Sequence, residues 1–375
     1  MTARDRATDR ATAHGWVAHL RGGGTTPWLE WTEPGAEGAA LPGAQQLELL
    51  RRLNLASGGA TGAALADRVL ATPAAGRGKA DLPLVGLEAS TWGPRPVDPA
   101  SLSAHELLRV ASVLLADDLV ALGPDPEPTS WARPWRRRFR LVGDPVTVAG
   151  LRRDLVARGR PEGGPRPFLV AVGAPLDQLL ARTWTQRCFE TGTKPWEEWL
   201  RFWRERDQLP ARADLVGSVR RFHARRPFVR VVTDLERLPR QVGVRHLPQV
   251  AVPGADQAEL ARRVAAVVGL RVPAAERPAL LRTLQDRMPG SGAAPMAVPE
   301  REHDWVAASA ARAARAVTRA GYPVVGDLAD LDPTGATPAA DGGTGQVLDL
   351  AVRMVVDTRW RTAGARRPNE GQVER

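Results

Sequence analysis

The sequence has very few of the residues that build disulfides and metal sites. Its 375 residues include one cysteine, Cys188, so no internal disulfide framework forms and a thiolate metal cluster is not expected. Six histidines are present, but none pairs at metal-ligand spacing with another histidine or with the cysteine. A lone thiol is typical of a reducing compartment. We therefore expect a cytoplasmic protein without a metal ion.

Long apolar runs and complete catalytic motifs are also missing. No stretch reaches about 18 consecutive apolar residues, so no membrane-spanning helix is expected. Residues 1–10 are charged and no apolar run follows them, which argues against a signal peptide. Walker-type, His-Glu-x-x-His and Gly-x-Ser-x-Gly motifs are absent from the sequence. The sequence therefore contains no complete catalytic signature.

Lysine is nearly absent, whereas arginine is abundant. Only Lys79 and Lys194 are lysines among 52 basic residues, which leaves 50 arginines and a net charge of +10. This composition is typical of a GC-rich actinobacterial genome, so part of the arginine content reflects codon usage. A positive field still favours anionic partners. The apolar content of 43% and the charged content of 25% are those of a globular protein.

Turn and helix signals divide the chain into regions. Ser103 and Glu106 have the spacing of a capping box and predict a helix start. Short apolar segments then alternate with helices, which predicts an α/β fold with a mostly parallel sheet covered by helices. The predicted strands are 139–142, 168–172, 228–233 and 250–252. The predicted regions are a mainly helical N-terminal part (1–128, with a Pro/Gly-rich loop at 71–100), an α/β domain (129–331), a loop (332–346), a C-terminal helix (347–360) and a flexible tail (361–375).

One strand–turn–helix unit has the order typical of a phosphate site. An apolar strand leads into Gly143, Pro145 and Thr147 at a helix start, where free N–H groups favour anions. Over roughly residues 135–270 this order resembles the sulfotransferases that use 3′-phosphoadenosine 5′-phosphosulfate (PAPS). The resemblance implies a P-loop-like sheet, PAPS as cofactor and sulfuryl transfer to a hydroxyl acceptor. The family's loop lysine is missing here and Asp144 adds a carboxylate, so activity is left open.

The same resemblance implies a set of site residues. Gly143 and Thr147 would hold the nucleotide, and Arg182 would stand in for the family's 3′-phosphate ligands. Sulfotransferases place a basic residue, often histidine, on the acceptor hydroxyl. His223 and His246 are the histidines within the resembling region and are the catalytic candidates. The glycine-rich stretch 22–27 is a rival phosphate loop. The alternative is that Thr26 and Pro27 form the N-terminal cap of a helix through Trp28, Leu29 and Trp31.

Segment 131–140 carries the clearest signal for an anionic ligand. It holds five arginines and three aromatic residues but no acid. Arg136, Arg137 and Arg138 can grip phosphates while neighbouring aromatic rings stack on bases, or fold over a nucleotide bound at the following strand. The alternative is a basic linker that packs its two tryptophans onto the domain.

Three hypotheses about function follow. The chain is a sulfotransferase-like protein that binds a nucleotide or another anionic ligand, a non-catalytic scaffold that binds a protein partner, or a basic protein associated with nucleic acid. All three need a binding surface whose position only the fold defines.

Overall fold

The computed structural model describes residues 3–36, 41–76, 80–87, 92–126, 131, 133, 135–164, 167–222, 228–335 and 343–362, with side chains from residue 8 onward. The helices, in chain order, are α1 (Ala3–Arg21), α2 (Ala44–Ser57), α3 (Ala63–Ala71), α4 (Ala104–Leu122), α5 (Pro145–Ala157), α6 (Leu176–Cys188), α7 (Trp196–Glu205), α8 (Leu215–Arg221), α9 (Leu238–Val242), α10 (Ala255–Arg271), α11 (Arg277–Arg287), α12 (His303–Ala320), α13 (Thr344–Val356) and α14 (Arg359–Thr362). The strands are β1 (Phe139–Gly143), β2 (Phe168–Val172), β3 (Val229–Val232) and β4 (Val324–Val325).

The chain divides into two compact units. The first comprises Met1–Asp125, Glu259–Ser291 and Gly342–Arg375, and the second comprises Pro126–Ala258 and Gly292–Asp341. The predicted α/β domain, 129–331, differs from the second unit because 259–291 belongs to the first. Asp125 accounts for the difference, since its N–H donates to the Thr283 hydroxyl (2.7 Å) and its carboxylate binds Arg287.

The first unit is built around α4. Residues on all sides of this helix are buried, as expected for a helix that is apolar around its whole circumference. Helices α2, α11, α13 and α14 pack against it. The predicted capping box is wrong: Ser103 is the N-cap residue but makes no side-chain cap bond, and Glu106 binds Arg109 instead.

The predicted C-terminal helix, 347–360, is two helices. It is broken at Asp357, whose carboxylate accepts a bond from the N–H of Arg359 (3.0 Å) and so starts a new turn. Beyond Thr362 the predicted tail lies outside the described residues.

The second unit is a mixed α/β structure. Its described strands form one parallel sheet in the order β1-β2-β3-β4. All five residues of β2 are buried because helices cover both faces. Phe168, Val170 and Val172 face α5 and α9, whereas Leu169 and Ala171 face α8 and α12.

The parallel sheet and the first three predicted strands are confirmed, but the predicted strand at 250–252 is wrong. That segment forms no strand, and Val250 instead packs against Gly150 of α5. The fourth strand is β4, which lies far along the chain and is two residues long. Among the described residues, no helix combines the length and apolar character needed to cross a bilayer.

Pairing aligns the carboxyl ends of the strands. Gly143 is in register with Val172, Val172 with Val232, and Val232 with Val325. Gly143 has φ +99°, and a Cβ atom there would lie 2.0 Å from the carbonyl oxygen of Val172. A glycine is therefore required where β1 turns into α5.

We expect Gly143→Ala to destabilise the protein by about 2 kcal/mol or more, because the strained φ and the clash with Val172 add together. The measurement is urea unfolding followed by circular dichroism. Gly292→Ala in the same unit is the control, since a Cβ at Gly292 would meet open space. Equal loss of stability in both variants would contradict the prediction.

Candidate functional site

The carboxyl edge of the sheet, where α/β folds usually bind ligands, is acidic. An aspartate follows every strand: Asp144 after β1, Asp177 after β2, Asp234 after β3, and both Asp327 and Asp330 after β4. The arginines that reach these aspartates are Arg182, which binds Asp144, and Arg237, which binds Asp234. Each is already neutralised by its carboxylate, so this edge offers little attraction to an anion.

Asp144 is the N-cap residue of α5, although its carboxylate accepts no bond from the N–H groups of the helix. Its side chain is fully buried, and its Oδ2 accepts hydrogen bonds from the Thr147 hydroxyl (2.6 Å) and from Nη1 of Arg182 (3.0 Å). Gln178 accepts a second bond from Arg182 (2.9 Å). The structure thus brings Gly143, Thr147 and Arg182 together, as the sequence predicts, but around a carboxylate of the chain itself.

An open cleft lies two strands away from Gly143, between the carboxyl ends of β3 and β4. It measures about 560 Å³ and is lined by Thr233, Asp234, Leu235, Glu236, Arg237, Gly326, Asp327 and Asp330. The Thr233 hydroxyl binds Asp330 (2.9 Å), and Asp234 accepts the N–H groups of Glu236 and Arg237. Its four carboxylates against one guanidinium disfavour a phosphate or sulfate ligand.

The rival glycine-rich loop, 22–27, is used for packing within the first unit. The Asn54 amide donates to the carbonyls of Leu20 (2.8 Å) and Gly24 (2.7 Å), and His19 shares a hydrogen bond with the Thr26 hydroxyl (3.1 Å). At Gly23 a Cβ would meet the carbonyl of Gly59 at 2.3 Å. These contacts make the loop a packed turn. The alternative, a helix capped by Thr26, is correct only in part: a single 3-10 turn, Trp28–Glu30, follows the loop, and its N-cap residue is Pro27 without a side-chain cap bond.

The opposite, amino edge of the sheet is basic. Six arginines lie on the segment before β1, within β1 and on the loop before β2. We call them the arginine cluster: Arg133, Arg136, Arg137, Arg138, Arg140 and Arg160. In the part of the chain that the structure describes, none of them lies within 4.0 Å of a carboxylate oxygen. The loop's own Glu162 binds Arg152 (2.7 Å) instead.

Aromatic rings rather than acids support several of these guanidinium groups. Arg137 lies over the ring of Phe168 at 4.2 Å, Arg140 over Phe222 at 4.1 Å, and Arg160 over Phe139 at 5.5 Å. Such cation–π contacts hold a guanidinium without neutralising it. The cluster therefore keeps its charge.

The charges of the cluster act on one another. Burial, together with the positive charges of Arg137 and Arg136, lowers the pKa of Arg160 below the usual arginine value. Arg160 donates hydrogen bonds to main-chain carbonyls, those of Arg137 (3.3 Å) and Val242. Repulsion between guanidinium groups that lack counterions raises the free energy of the unbound protein. An anionic ligand would lower that free energy by pairing with them.

The backbone of the segment before β1 is fixed in place. The N–H of Arg133 donates to the carbonyl of Gly159 (2.8 Å), and the N–H of Phe139 donates to the carbonyl of Pro161 (3.2 Å). A turn between them is closed by the N–H of Arg136 and the carbonyl of Arg133 (2.9 Å). The main chain at Arg133 and Phe139 is therefore tied to the loop before β2 within the second unit.

Its two tryptophans point into solvent. Trp131 is 92% exposed and Trp135 is 80% exposed. The alternative interpretation, a linker that packs both tryptophans onto the domain, is therefore wrong. The stripe of tryptophans on α7 differs: Trp196 and Trp199 are buried, and Trp196 packs against Trp184, as expected for core residues.

The predicted site residues separate into two groups. Gly143, Thr147 and Arg182 lie at the carboxyl edge, whereas 136–138 lies at the amino edge. Arg138 precedes Gly143 by five residues, which is about 17 Å along an extended strand at roughly 3.3 Å per residue. The arginines stay at their own edge, since Arg137 stacks on Phe168 there and Arg138 lies against Gly164. They do not fold over the end of β1.

The residues that line the cleft include neither candidate catalytic histidine. His246 is exposed and does not line the cleft. His223 lies outside the described residues. Within the described ranges, no three His, Cys, Asp or Glu side chains are arranged to hold a metal ion.

Sequence reasoning missed Arg160 and Phe168 as members of the basic edge. Only the parallel register brings the loop before β2 beside the segment before β1. One signal was available: in a parallel sheet, residues that precede neighbouring strands meet at one edge. Comparison of the chain with protein-family models, curated proteins and solved structures found no match.

We expect Arg182→Ala to destabilise the protein by about 3–5 kcal/mol, because it leaves Asp144 charged and buried without its partner. The double variant Asp144→Asn/Arg182→Gln should recover most of that loss. Chemical denaturation measures both. Lys194→Ala removes an exposed ion pair with Glu198 and should cost less than about 1 kcal/mol. A double variant as unstable as Arg182→Ala would refute the ion-pair explanation.

Proposed function

We propose that this chain is a nucleic-acid-binding protein that holds a phosphate backbone on the arginine cluster. The observation that carries the proposal is the set of six arginines without a carboxylate partner among the described residues. Guanidinium groups bind phosphate oxygens in a bidentate manner and keep their charge at any physiological pH.

Contrast between the two edges of the sheet supports this location. At the carboxyl edge, Arg182 and Arg237 are bound to aspartates of the chain. At the amino edge, Arg136 and Arg137 are exposed and no carboxylate competes for them among the described residues. A polyanion therefore gains most by binding at the amino edge, where it replaces repulsion between arginines with ion pairs.

Main-chain hydrogen bonds add a second line of support. The bonds of Arg133 and Phe139 tie the main chain on both sides of Arg136 and Arg137 to the loop before β2. A surface that is positioned before binding loses less conformational entropy when the ligand arrives.

We expect Arg136→Ala/Arg137→Ala/Arg138→Ala to weaken binding of a random-sequence single-stranded oligonucleotide on the order of 100-fold, since each lost phosphate contact contributes on the order of 1 kcal/mol. The slope of log K against log salt should become shallower by about 2, at roughly 0.7 for each phosphate. Fluorescence anisotropy between 50 and 200 mM salt measures both quantities.

The matched control is Arg312→Ala/Arg315→Ala/Arg319→Ala on α12. These arginines are exposed, and the change also lowers the net charge from +10 to +7. The control should bind within a factor of about three of the unchanged protein. If it weakens binding as much as the cluster variant, total charge rather than the cluster determines binding and the proposal fails.

The sulfotransferase resemblance supplies a second candidate, a nucleotide bound at the start of α5. Thr147 and Arg182 lie together there, which favours it, but both are hydrogen-bonded to Asp144. A nucleotide phosphate at this place would meet the buried carboxylate. The sulfotransferase-like fold and PAPS as cofactor remain predictions.

For this reason we expect millimolar adenosine 3′,5′-bisphosphate to leave the melting temperature unchanged. A specific ligand at 100 times its dissociation constant would add about 2.7 kcal/mol to the stability of the folded state. Differential scanning fluorimetry makes the measurement. A rise in melting temperature that Thr147→Ala abolishes would favour the transferase over the binding protein.

A further inference from the structure

Trp131 and Trp135 carry the most unusual exposure in the second unit. Exposed tryptophan is expensive because the indole is the largest apolar side chain and normally dominates core packing. Here two indoles are 92% and 80% exposed within five residues of sequence. Trp131 precedes the turn closed by Arg133 and Arg136, Trp135 lies within that turn, and both are close in sequence to arginines of the cluster.

Backbone contacts bring Trp131 close to the domain without burying its ring. Gly159 has φ +74°, and a Cβ there would lie 3.0 Å from the carbonyl oxygen of Trp131. This close approach, together with the bond from Arg133 to Gly159, joins the main chain at Trp131 and Arg133 to the loop before β2. Both indoles are exposed close to the arginines in sequence, as the rings of stacking platforms are.

The arginine cluster and the two exposed indoles together limit the class of ligand that this surface can bind. The arginines require several negative charges, and the indoles require flat, weakly polar faces. Single-stranded nucleic acid offers both, because its bases are free to leave their neighbours and stack on an aromatic ring. Duplex bases are paired and stacked on each other, so a duplex could use only the arginines.

We infer that the proposed nucleic-acid site is selective for single strands, with bases stacked on Trp131 and Trp135 while the arginine cluster binds the phosphates. This inference rests on the proposed function and specifies its ligand. Both single-stranded DNA and single-stranded RNA have the required chemistry. Any base can stack on a ring face, so the site distinguishes single strands from duplexes but does not distinguish one base sequence from another.

The test compares Trp131→Ala/Trp135→Ala with the unchanged protein on a labelled single-stranded 16-mer and on a duplex of the same length. We expect the unchanged protein to prefer the single strand at least 10-fold. The double variant should lose single-strand affinity on the order of 100-fold while duplex binding and the salt slope stay the same. Trp131→Phe/Trp135→Phe should restore most of the affinity because phenyl rings also stack.

Trp92→Ala is the matched control, since Trp92 is 96% exposed but belongs to the first unit. It should leave single-strand binding unchanged. Equal binding of duplex and single strand, or an unaffected double tryptophan variant, would overturn the inference while leaving the arginine-based proposal standing. Displacement by heparin or polyglutamate at equal charge, with no preference for nucleic acid, would also overturn it. If neither the single strand nor the duplex binds the unchanged protein, the proposed function itself is refuted.

Discussion

Parallel pairing of the described strands is the constraint on which the second unit depends. It places every amino end at one edge of the sheet and every carboxyl end at the other, in the register Gly143–Val172–Val232–Val325. Charges that are spread along 200 residues of sequence are thereby sorted in space. The residues around the start of β1 and before β2 contribute the arginine cluster, and residues that follow each described strand contribute aspartates.

Parallel pairing also places a buried carboxylate of the chain at the edge where α/β sheets usually bind ligands. A helix that begins directly after a strand presents free N–H groups and a partial positive charge. Asp144 lies there, fully buried, and Arg182 compensates its charge. A phosphate at this position would lie beside a buried carboxylate, and repulsion between the two negative charges weakens the attraction on which phosphate binding relies. The excess positive charge is left at the other edge.

Much of the fold could be predicted from the sequence because its elements carry local signals. The first three strands are short apolar segments between turn residues, and their parallel order follows from alternation with helices. Segment 250–252 has the same apolar texture, but Val250 packs into the gap that Gly150 leaves on α5. In contrast, β4 is two residues long and is defined only by pairing with β3. Ser103 and Glu106 also have the spacing of a capping box, but the Glu106 carboxylate forms an ion pair with Arg109 instead.

The proposed binding surface, which is the arginine cluster with its two exposed tryptophans, could be predicted only in part. Composition identified segment 131–140, but exposure of Trp131 depends on whether another element covers it, and no local pattern contains that information. Arg160 likewise belongs to the arginine cluster because of the register of β1 and β2, which the spacing of residues in the sequence does not reveal. Site residues inferred from one strand–helix unit fell at opposite ends of that strand, because a linear pattern does not specify which end of a strand faces the ligand.

Separation of charge along the strands has a consequence for motion in solution. A body with guanidinium groups at one end and carboxylates at the other possesses a permanent electric dipole moment. In the field of a polyanion such a body experiences a torque that turns its arginine-bearing end, with Trp131 and Trp135, toward the chain before contact. Its aspartate-bearing end would face away, so repulsion would keep the proposed ligand from wrapping around the whole unit.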